Sequence, residues 1–155
     1  MRSKGFTSIE LLIVLAIVTI AFAIPALYSY FNYQSVGLAA DRLRGDLQLA
    51  RIMAINRKKT CAIVLNHSAP QGYVNSLSQQ NVNFSGYRGK VDFMLQGPDG
   101  RKAASRIAFN RMGRSTSAAD VNVYLADGTA TKIYRIRVAG TGGISVMRWN
   151  GTHWN

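Results

Sequence analysis

Cysteine, histidine and acidic residues are scarce in this sequence of 155 residues, which has one cysteine, two histidines and seven Asp or Glu. A single cysteine excludes an intramolecular disulfide, so the fold must be held together by burial. Cys61 shares a predicted strand face with Ile63 and Leu65. We therefore interpret Cys61 as a core residue rather than a reactive one.

The same scarcity limits the chemistry that the chain can perform. His67 and His153 are far apart and the acids are scattered, so no metal-ligand spacing is present. The sequence also has no Ser/His/Asp order and no phosphate-binding loop. We predict that the protein is not an enzyme and has neither a metal nor a cofactor.

The shortage of acids leaves 19 Lys and Arg against 7 Asp and Glu, a net charge of +12. A cationic surface favours nucleic acid, anionic lipid or lipopolysaccharide as partners, although it also serves solubility. In the strand predicted over 131–139, alternation turns Arg135 and Arg137 outward beside Ile133 as an exposed basic pair. The candidate polyanion-binding residues are Arg135, Arg137, Arg114 and Arg148.

Charge is nearly absent from the N-terminal region, where residues 6–27 carry one charged side chain, that of Glu10. As a helix this segment covers about 33 Å, close to the hydrocarbon thickness of a bilayer, so it is predicted to span a membrane. Arg2 and Lys4 precede the segment. Basic residues on the short side keep the N-terminus cytoplasmic and send the rest of the chain outward.

An ionisable group within lipid needs a partner, because its insertion costs about 2.5–3.5 kcal/mol. No Lys or Arg lies between Gly5 and Arg42. The nearest cation is the α-amino group that a cut after Gly5 would create on Phe6, offered by a neighbouring copy of the chain. The alternative interpretation is an ordinary secretory signal peptide that is removed near Ala23.

The pattern beyond the apolar run predicts that the helix continues to residue 56. Small and apolar residues recur there at steps of three and four, which forms one stripe of an amphipathic helix. The stripe consists of Val36, Ala40, Leu43, Leu47, Ala50 and Ala54. We predict a single helix over 6–56, whose second half packs on a globular domain.

After Asn56, short β-branched and aromatic runs separated by turn residues predict an antiparallel structure of six or seven strands. The clearest candidates are residues 60–65, 90–96, 105–110, 121–126, 131–139 and 144–149. Residues 97–100 and Asp127-Gly128 are predicted turns, and residues 140–143 close the last hairpin. Residues 66–89 are rich in Asn, Ser, Gln and Gly, and we expect a loop within them.

The residues Gly-Phe-Thr-Ser-Ile-Glu-Leu-Leu-Ile-Val-Leu-Ala-Ile at 5–17 resemble the class III signal of type IV pilins and pseudopilins. The resemblance implies that prepilin peptidase cleaves the chain after Gly5 and methylates the new N-terminus at Phe6. It also implies that Glu10 docks the subunit to other pilin subunits through the N-terminal helix. Ser8 is a mild departure, because the family often has Leu at this position.

Two later segments, residues 39–57 and 107–114, are similar to the GspH/FimT group of minor pseudopilins and minor pilins. The first has a Leu-x-x-Ala-Arg-x-x-Ala-like pattern, and the second has the form Ile-x-Phe-x-x-x-Gly-Arg. The resemblance implies an α+β, pilin-like fold in which a long N-terminal helix packs on an antiparallel β-sandwich. The expected organisation is a leader at 1–5, a transmembrane or filament-core helix at 6–27, an amphipathic helix at 28–56 and a periplasmic β-rich domain at 57–155.

The function that the resemblance implies is that of a non-enzymatic minor subunit of a type II secretion pseudopilus or a type IV pilus. Such a subunit helps to prime filament assembly near the filament tip. It is expected to cross the bacterial inner membrane once, with its domain in the periplasm, and to enter the filament on assembly. Its expected partners are other pilin subunits, prepilin peptidase and the inner membrane.

DNA capture is the alternative function. FimT-type members that resemble this protein bind DNA through a C-terminal Gly-Arg-x-Arg motif, and the matching residues here, 143–146, are Gly-Ile-Ser-Val. Both arginines of the motif are absent. Trp149 and Trp154 could stack on bases, or they are a core residue at a strand end and a C-terminal contact.

Overall fold

The computed structural model describes the backbone of residues 8–87 and 90–155, and the side chains of these residues apart from those of 23–33. In the described part, one long helix, α1 (Ser8–Asn56), precedes eight strands and a short 3-10 helix at Phe84–Gly86. The strands are β1 (Cys61–Asn66), β2 (Gly72–Asn75), β3 (Asn81–Asn83), β4 (Val91–Met94), β5 (Arg106–Phe109), β6 (Val121–Asp127), β7 (Ile133–Val138) and β8 (Ile144–Arg148).

Helix α1 confirms the prediction that the helix continues without a break to residue 56. All six residues of the predicted stripe are fully buried against the domain. The charged residues Asp41, Arg42 and Arg44 are exposed on other faces of the helix. Alanine at several stripe positions allows the helix to approach the strands closely, because the distance between packed elements depends on the side chains at the contact.

Within the described residues, no helix combines the length and the apolar composition that a membrane crossing requires. The structure therefore does not support the membrane span predicted over 6–27. The first two residues of that segment and the predicted leader at 1–5 lie outside the described part of the chain.

The strands form two antiparallel sheets of four strands each. The first sheet has the order β3-β2-β1-β5 and the second has the order β4-β6-β7-β8. All six predicted strands are present, and Val138 pairs with Ile144, so residues 140–143 close a hairpin as predicted. The α+β class, a long helix packed on antiparallel sheets, is confirmed.

Residues 66–89 contain more regular structure than the expected loop. Strands β2 and β3 and the 3-10 helix lie in this region, and β2 pairs with both β1 and β3. Tyr73, Val82 and Phe84 from the region are buried. Strands of three or four residues are too short to establish an alternating pattern among so many polar residues, which is why the sequence did not reveal them.

The core lies between α1 and the two sheets. Leu43 and Leu47 of α1 pack in one buried cluster with residues of both sheets, among them Ile63 of β1 and Ile136 of β7. Cys61 belongs to the same cluster and is fully buried, as predicted.

A polar contact also joins α1 to the first sheet. The Tyr73 side chain is 1% exposed, and its hydroxyl donates a hydrogen bond to the carboxylate of Asp46 on α1. Burial raises the pKa of Tyr73, and the hydrogen bond to Asp46 raises it further. The hydroxyl therefore remains a donor, and the one hydrogen bond satisfies two groups at the interface between helix and sheet.

Two glycines bring the connections after β5 and β7 against the end of α1. Gly113 has φ +72° and Gly142 has φ +87°, a backbone region that favours glycine. A Cβ on Gly113 would lie 2.7 Å from Cδ1 of Ile55, and a Cβ on Gly142 would lie 2.0 Å from the carbonyl oxygen of Gly113. Either Cβ would also lie 3.2 Å from Nε of Arg51. These approaches place the Ile-x-Phe-x-x-x-Gly-Arg segment directly beside the helix end.

Candidate functional site

The N-terminal part of α1 is an apolar helix whose side chains are exposed on all sides. The exposed large apolar residues are Ile9, Leu11, Leu12, Ile13, Val14, Leu15, Ile17, Val18, Ile20 and Phe22. Their exposed fractions range from 43% for Val18 to 77% for Phe22. A continuous apolar surface of this kind marks a contact with a partner or with lipid, because soluble monomers rarely leave one in water.

Glu10 is the one charged residue of this apolar stretch and lies exposed in the first turn of α1. A carboxylate in the first turn is favoured by the partial positive charge of the helix N-terminus. Gly5 and Phe6, the predicted cleavage and methylation residues, lie outside the described residues. Their roles stay predictions, as does the docking role of Glu10.

Arg135 is buried, so the prediction of an exposed basic pair with Arg137 is wrong. The Arg135 side chain is 10% exposed, and its Nη1 donates to Oδ2 of Asp99 at 3.0 Å. Its guanidinium carbon also lies 4.5 Å from the ring centre of Trp154, a cation–π contact. Ile133, the other residue that was expected to face solvent, is 7% exposed.

A hairpin formed by residues 96–102 covers part of the outer face of the second sheet. A bridge between Gln96 and Lys102 closes this hairpin. The hairpin packs closely on Tyr124 of β6. A Cβ on Gly97 would lie only 2.4 Å from the Tyr124 ring. Tyr124 is fully buried as a result, although it faces away from the core on the same side of the sheet as Arg135.

The C-terminal residues 149–155 cover another part of this face. Arg148 and Asn155 exchange backbone hydrogen bonds of 2.8 and 3.0 Å, and Trp149 and Trp154 form a further bridge. The two indole centres are 5.1 Å apart. Trp149 is half-buried and lies outside the core cluster, so it is not the core residue that was expected at the strand end. Trp154 packs against Tyr124 and Trp149, as expected of a C-terminal contact.

Asp99 at the tip of the hairpin is the acid that binds Arg135. It also accepts a hydrogen bond of 3.0 Å from the Tyr124 hydroxyl, and Nε of Arg101 lies 3.8 Å away. Burial by itself would raise the pKa of Asp99. Hydrogen bonds from the Tyr124 hydroxyl and the backbone N–H of Arg101 outweigh burial and hold that pKa below its ordinary value.

The other three candidate residues are exposed and do not form one site. Arg137 donates from Nε to Oδ2 of Asp120 at 2.8 Å, and its Nη2 lies 2.5 Å from the same oxygen. Arg114 lies in the turn after β5. Arg148 is in register with Tyr134, on the face of the second sheet opposite to Arg137.

Seven basic residues at one end of the domain take part in none of the four ion pairs of the described residues. We call them the basic end: Arg51, Arg57, Lys58, Lys59, Arg106, Arg111 and Arg114. The pairing of Cys61 with Phe109 and the approach of Gly113 to α1 bring their two segments together. The signal for this cluster in the sequence is the lack of any acid in residues 47–91 and 100–119.

The described side chains include no group of three or more His, Cys, Asp and Glu that could hold a metal ion. The features that the fold brings together are instead surfaces for contact. One is the apolar helix with Glu10, one is the basic end, and one is the set of paired charges around Asp99 and Asp120.

A family model described as type II transport protein GspH matches residues 39–142, more than half of the chain. Two solved structures of the type IV minor pilin FimU of Pseudomonas aeruginosa strain PAO1, in space groups P21 and P65, are similar in fold. The first is 13% identical, covers 81% of this chain and 96% of that chain, and has a TM-score of 0.58. The second is 12% identical, covers 77% and 96%, and has a TM-score of 0.53. The search of curated proteins found no significant match.

Proposed function

The chain belongs to the GspH family of type II transport proteins, and we propose that it is a non-enzymatic minor subunit of a type II secretion pseudopilus or a type IV pilus. In this role it helps to prime filament assembly near the filament tip. The exposed apolar stretch of α1 carries the proposal, because a helix that is apolar on every side needs apolar partners. The N-terminal helices of other pilin subunits are partners of that kind.

Before assembly, the same segment anchors the subunit in the inner membrane. The basic residues Arg2 and Lys4 favour a cytoplasmic N-terminus, which leaves the domain in the periplasm. Prepilin peptidase then removes residues 1–5 and methylates Phe6. The new α-amino group of a neighbouring subunit is the cation that pairs with Glu10.

Processing is tested on protein extracted from the membrane fraction of cells that contain prepilin peptidase. The intact mass should correspond to a chain that begins at methylated Phe6. A bulky residue in place of Gly5 should block cleavage, whereas Gly5→Ala should be tolerated because alanine is small. A mature chain that begins near Ala23 would support the secretory signal peptide and contradict the proposal.

Docking is tested by replacing Glu10 with valine. The variant should still fractionate with the membrane, since the segment becomes more apolar, but it should co-purify less with other pilin subunits. Asp41→Asn is the matched control, because Asp41 is another exposed acid of α1 and lies outside the apolar stretch. Equal co-purification of the Glu10 variant and the control would show that Glu10 is not the docking group.

A subunit that primes assembly and a subunit that lies along the filament shaft should differ in the effect of their loss on filament number and length. Loss of a priming subunit should reduce the number of filaments per cell, while the filaments that do form keep their normal length. Counting filaments and measuring their lengths by electron microscopy, with and without the gene restored, separates the two roles. Normal numbers of shortened filaments would exclude priming.

A second candidate function, polyanion capture, is favoured by the seven unpaired cations of the basic end. Ion pairs with Asp99 and Asp120 neutralise Arg135 and Arg137, so we move the candidate surface from β7 to the basic end. Exposed basic side chains without a competing carboxylate can neutralise phosphates and release counterions. Arg114 belongs to both the earlier and the revised set of residues.

The capture function is tested by titrating the protein with duplex DNA at about 50 and about 200 mM salt. The logarithm of the binding constant falls with the logarithm of the salt concentration, and each neutralised phosphate contributes about −0.9 to the slope. The double variant Arg111→Gln with Arg114→Gln should lower both the affinity and the slope. Arg101→Gln serves as the control, because Arg101 already lies beside Asp99. If the wild-type chain does not bind at the lower salt concentration, the filament role stands alone.

A further inference from the structure

An open cleft of about 770 Å³ lies on the outer face of the second sheet, between the hairpin 96–102 and the C-terminal residues 149–155. This volume is in the range of sites that bind small ligands. The cleft is separate from the apolar stretch of α1 and from the basic end. Neither proposed function uses it.

The charged groups of the cleft are arranged in pairs of opposite sign. On one side, Asp99 lies 3.0 Å from Arg135 and 3.8 Å from Arg101. On the other side, Arg137 lies 2.5 Å from Asp120. The Asp120 and Arg137 side chains are 33% and 45% exposed, so a ligand can reach both partners of this pair.

The pairing disfavours ligands that carry a net charge or are wholly apolar. The lining holds three guanidinium groups and two carboxylates, so its charges nearly cancel and a ligand of either sign meets groups of its own sign. An apolar ligand would remove the ion pairs from water without replacing the lost hydrogen bonds, which is costly. A neutral ligand with several hydroxyls fits both signs, since a hydroxyl donates to a carboxylate and accepts from a guanidinium.

Two tryptophans add an aromatic surface to these polar groups. Trp149 and Trp154 both line the cleft. The face of an indole ring is negative, so it attracts the weakly positive C–H groups on the face of a sugar ring. We propose that the cleft binds a neutral glycan, with the Trp149 indole against a sugar ring and the Asp120–Arg137 pair on its hydroxyls.

The rim of the cleft is fixed before any ligand binds. Oδ1 of Asn150 accepts hydrogen bonds from the backbone N–H of Thr152 at 3.0 Å and of His153 at 2.8 Å. This turn holds Thr152 and His153 at the edge of the cleft. Groups that are already ordered lose less conformational entropy on binding, which favours affinity.

The experiment uses tryptophan fluorescence, because the chain has two tryptophans and both line the cleft. The full chain is purified in lauryldimethylamine oxide, a detergent without a sugar headgroup that could compete. It is titrated with the tetramer of N-acetylglucosamine, with maltotetraose and with inorganic phosphate. We expect a saturable change in emission with at least one oligosaccharide and none with phosphate. No saturable change with either oligosaccharide, or a response to phosphate of equal strength, overturns the proposal.

Two variants locate the binding. Arg137→Gln should lower the affinity for the oligosaccharide that binds by at least about fivefold, because the substitution removes charge-assisted hydrogen bonds. Lys90→Gln is the matched control, since Lys90 is exposed and lies 3.5 Å from Asp92, and it does not line the cleft. Equal weakening by both variants would overturn the assignment of the site. If circular dichroism shows that Arg137→Gln is unfolded, Asp120→Asn, which keeps the size of the side chain, takes its place with the same expectation.

Discussion

Arg135 and Arg137 are two residues apart on β7 and face the same side of the second sheet, but their surroundings differ. Arg135 lies between Asp99 and Trp154 with a side chain that is 10% exposed. Arg137 binds Asp120 at the edge of the cleft and is 45% exposed. The contribution of each arginine to stability should follow this difference in burial, because water screens the outer pair more than the inner one.

The first prediction compares Arg135→Gln with Arg137→Gln. Loss of Arg135 removes a charge-assisted hydrogen bond to Asp99, whose side chain is 19% exposed, and should destabilise the fold by about 1.5–3 kcal/mol. Loss of Arg137 should cost less than about 1 kcal/mol, as is usual for an exposed pair. Thermal unfolding followed by circular dichroism measures both. Equal costs would mean that the contact of Arg135 with Asp99 contributes no more than a surface ion pair.

At the scale of elements, α1 combines two kinds of helix in 49 residues. Its first part is apolar on all sides, and its second part is amphipathic. On the second part, Leu47 is fully buried against the sheets, whereas Leu49, two residues later, is 43% exposed. Because both residues are leucines of one helix, comparing them distinguishes the effect of packing on the domain from the effect of leucine on the helix itself.

The second prediction compares Leu47→Ala with Leu49→Ala. Removing the Leu47 side chain leaves a cavity in the core and should cost about 2–5 kcal/mol of stability. The Leu49 change should cost less than about 1 kcal/mol, since the site is half exposed and alanine is a good helix former. Chemical unfolding of both variants with the wild type gives the comparison. A large loss from Leu49→Ala would reveal a contact of that face within the protein.

The elements that the sequence predicted are those with a strong local period. The stripe on α1 has a period of three to four residues, and the alternation on β7 identified which face each side chain occupies. Alternation does not reveal what covers a face, so the burial of Arg135 by Trp154 could not be predicted from β7 alone. Asp99 and Arg135 are 36 residues apart, and β2 and β3 are too short for a period. The part of the candidate site on α1 could thus be predicted from the sequence. The parts that depend on contacts between distant segments could not.

At the scale of the whole molecule, the charges are divided between two regions. The described acids that form ion pairs, Asp92, Asp99 and Asp120, neutralise basic residues around the second sheet. The basic end has no such partners. Seven of the 19 Lys and Arg of the chain belong to the basic end, and a local excess of positive charge directs the approach of anionic partners.

The third prediction concerns acid. The pKa values of Asp99 and Asp127 are lowered from 3.8: burial opposes the change, but hydrogen bonds to each carboxylate outweigh it. A carboxyl group whose pKa is lower in the folded state stabilises the fold at pH values above its pKa in the unfolded chain. This stabilisation is lost as the pH falls through the pKa of the folded state. The melting temperature should hence be steady above about pH 5 and fall below about pH 4. The melting temperature of Asp99→Asn should fall less steeply with decreasing pH. An equally steep fall in this variant would contradict the lowered pKa of Asp99.

The fourth prediction concerns alkali. Burial, together with the hydrogen bond to Asp99, raises the pKa of Tyr124 from 10.0 to about 12. The stabilisation from a raised pKa is fully present below the unfolded value of 10.0 and is lost as the pH rises through about 12. The melting temperature should decline over this range, and Tyr124→Phe should decline less steeply. A titration of both proteins by circular dichroism measures the difference, which would vanish if Tyr124 ionised normally in the fold.

The burial of Cys61 has a practical consequence for mapping the filament. Cys61 is the one cysteine of the chain, its side chain is fully buried, and burial raises the pKa of its thiol. Both effects keep the thiolate, which is the reactive form, rare and out of reach of reagents. A cysteine introduced on the exposed apolar stretch of α1 would then be the one thiol that a crosslinker modifies. Neighbouring subunits can be identified in this way without first removing the natural cysteine.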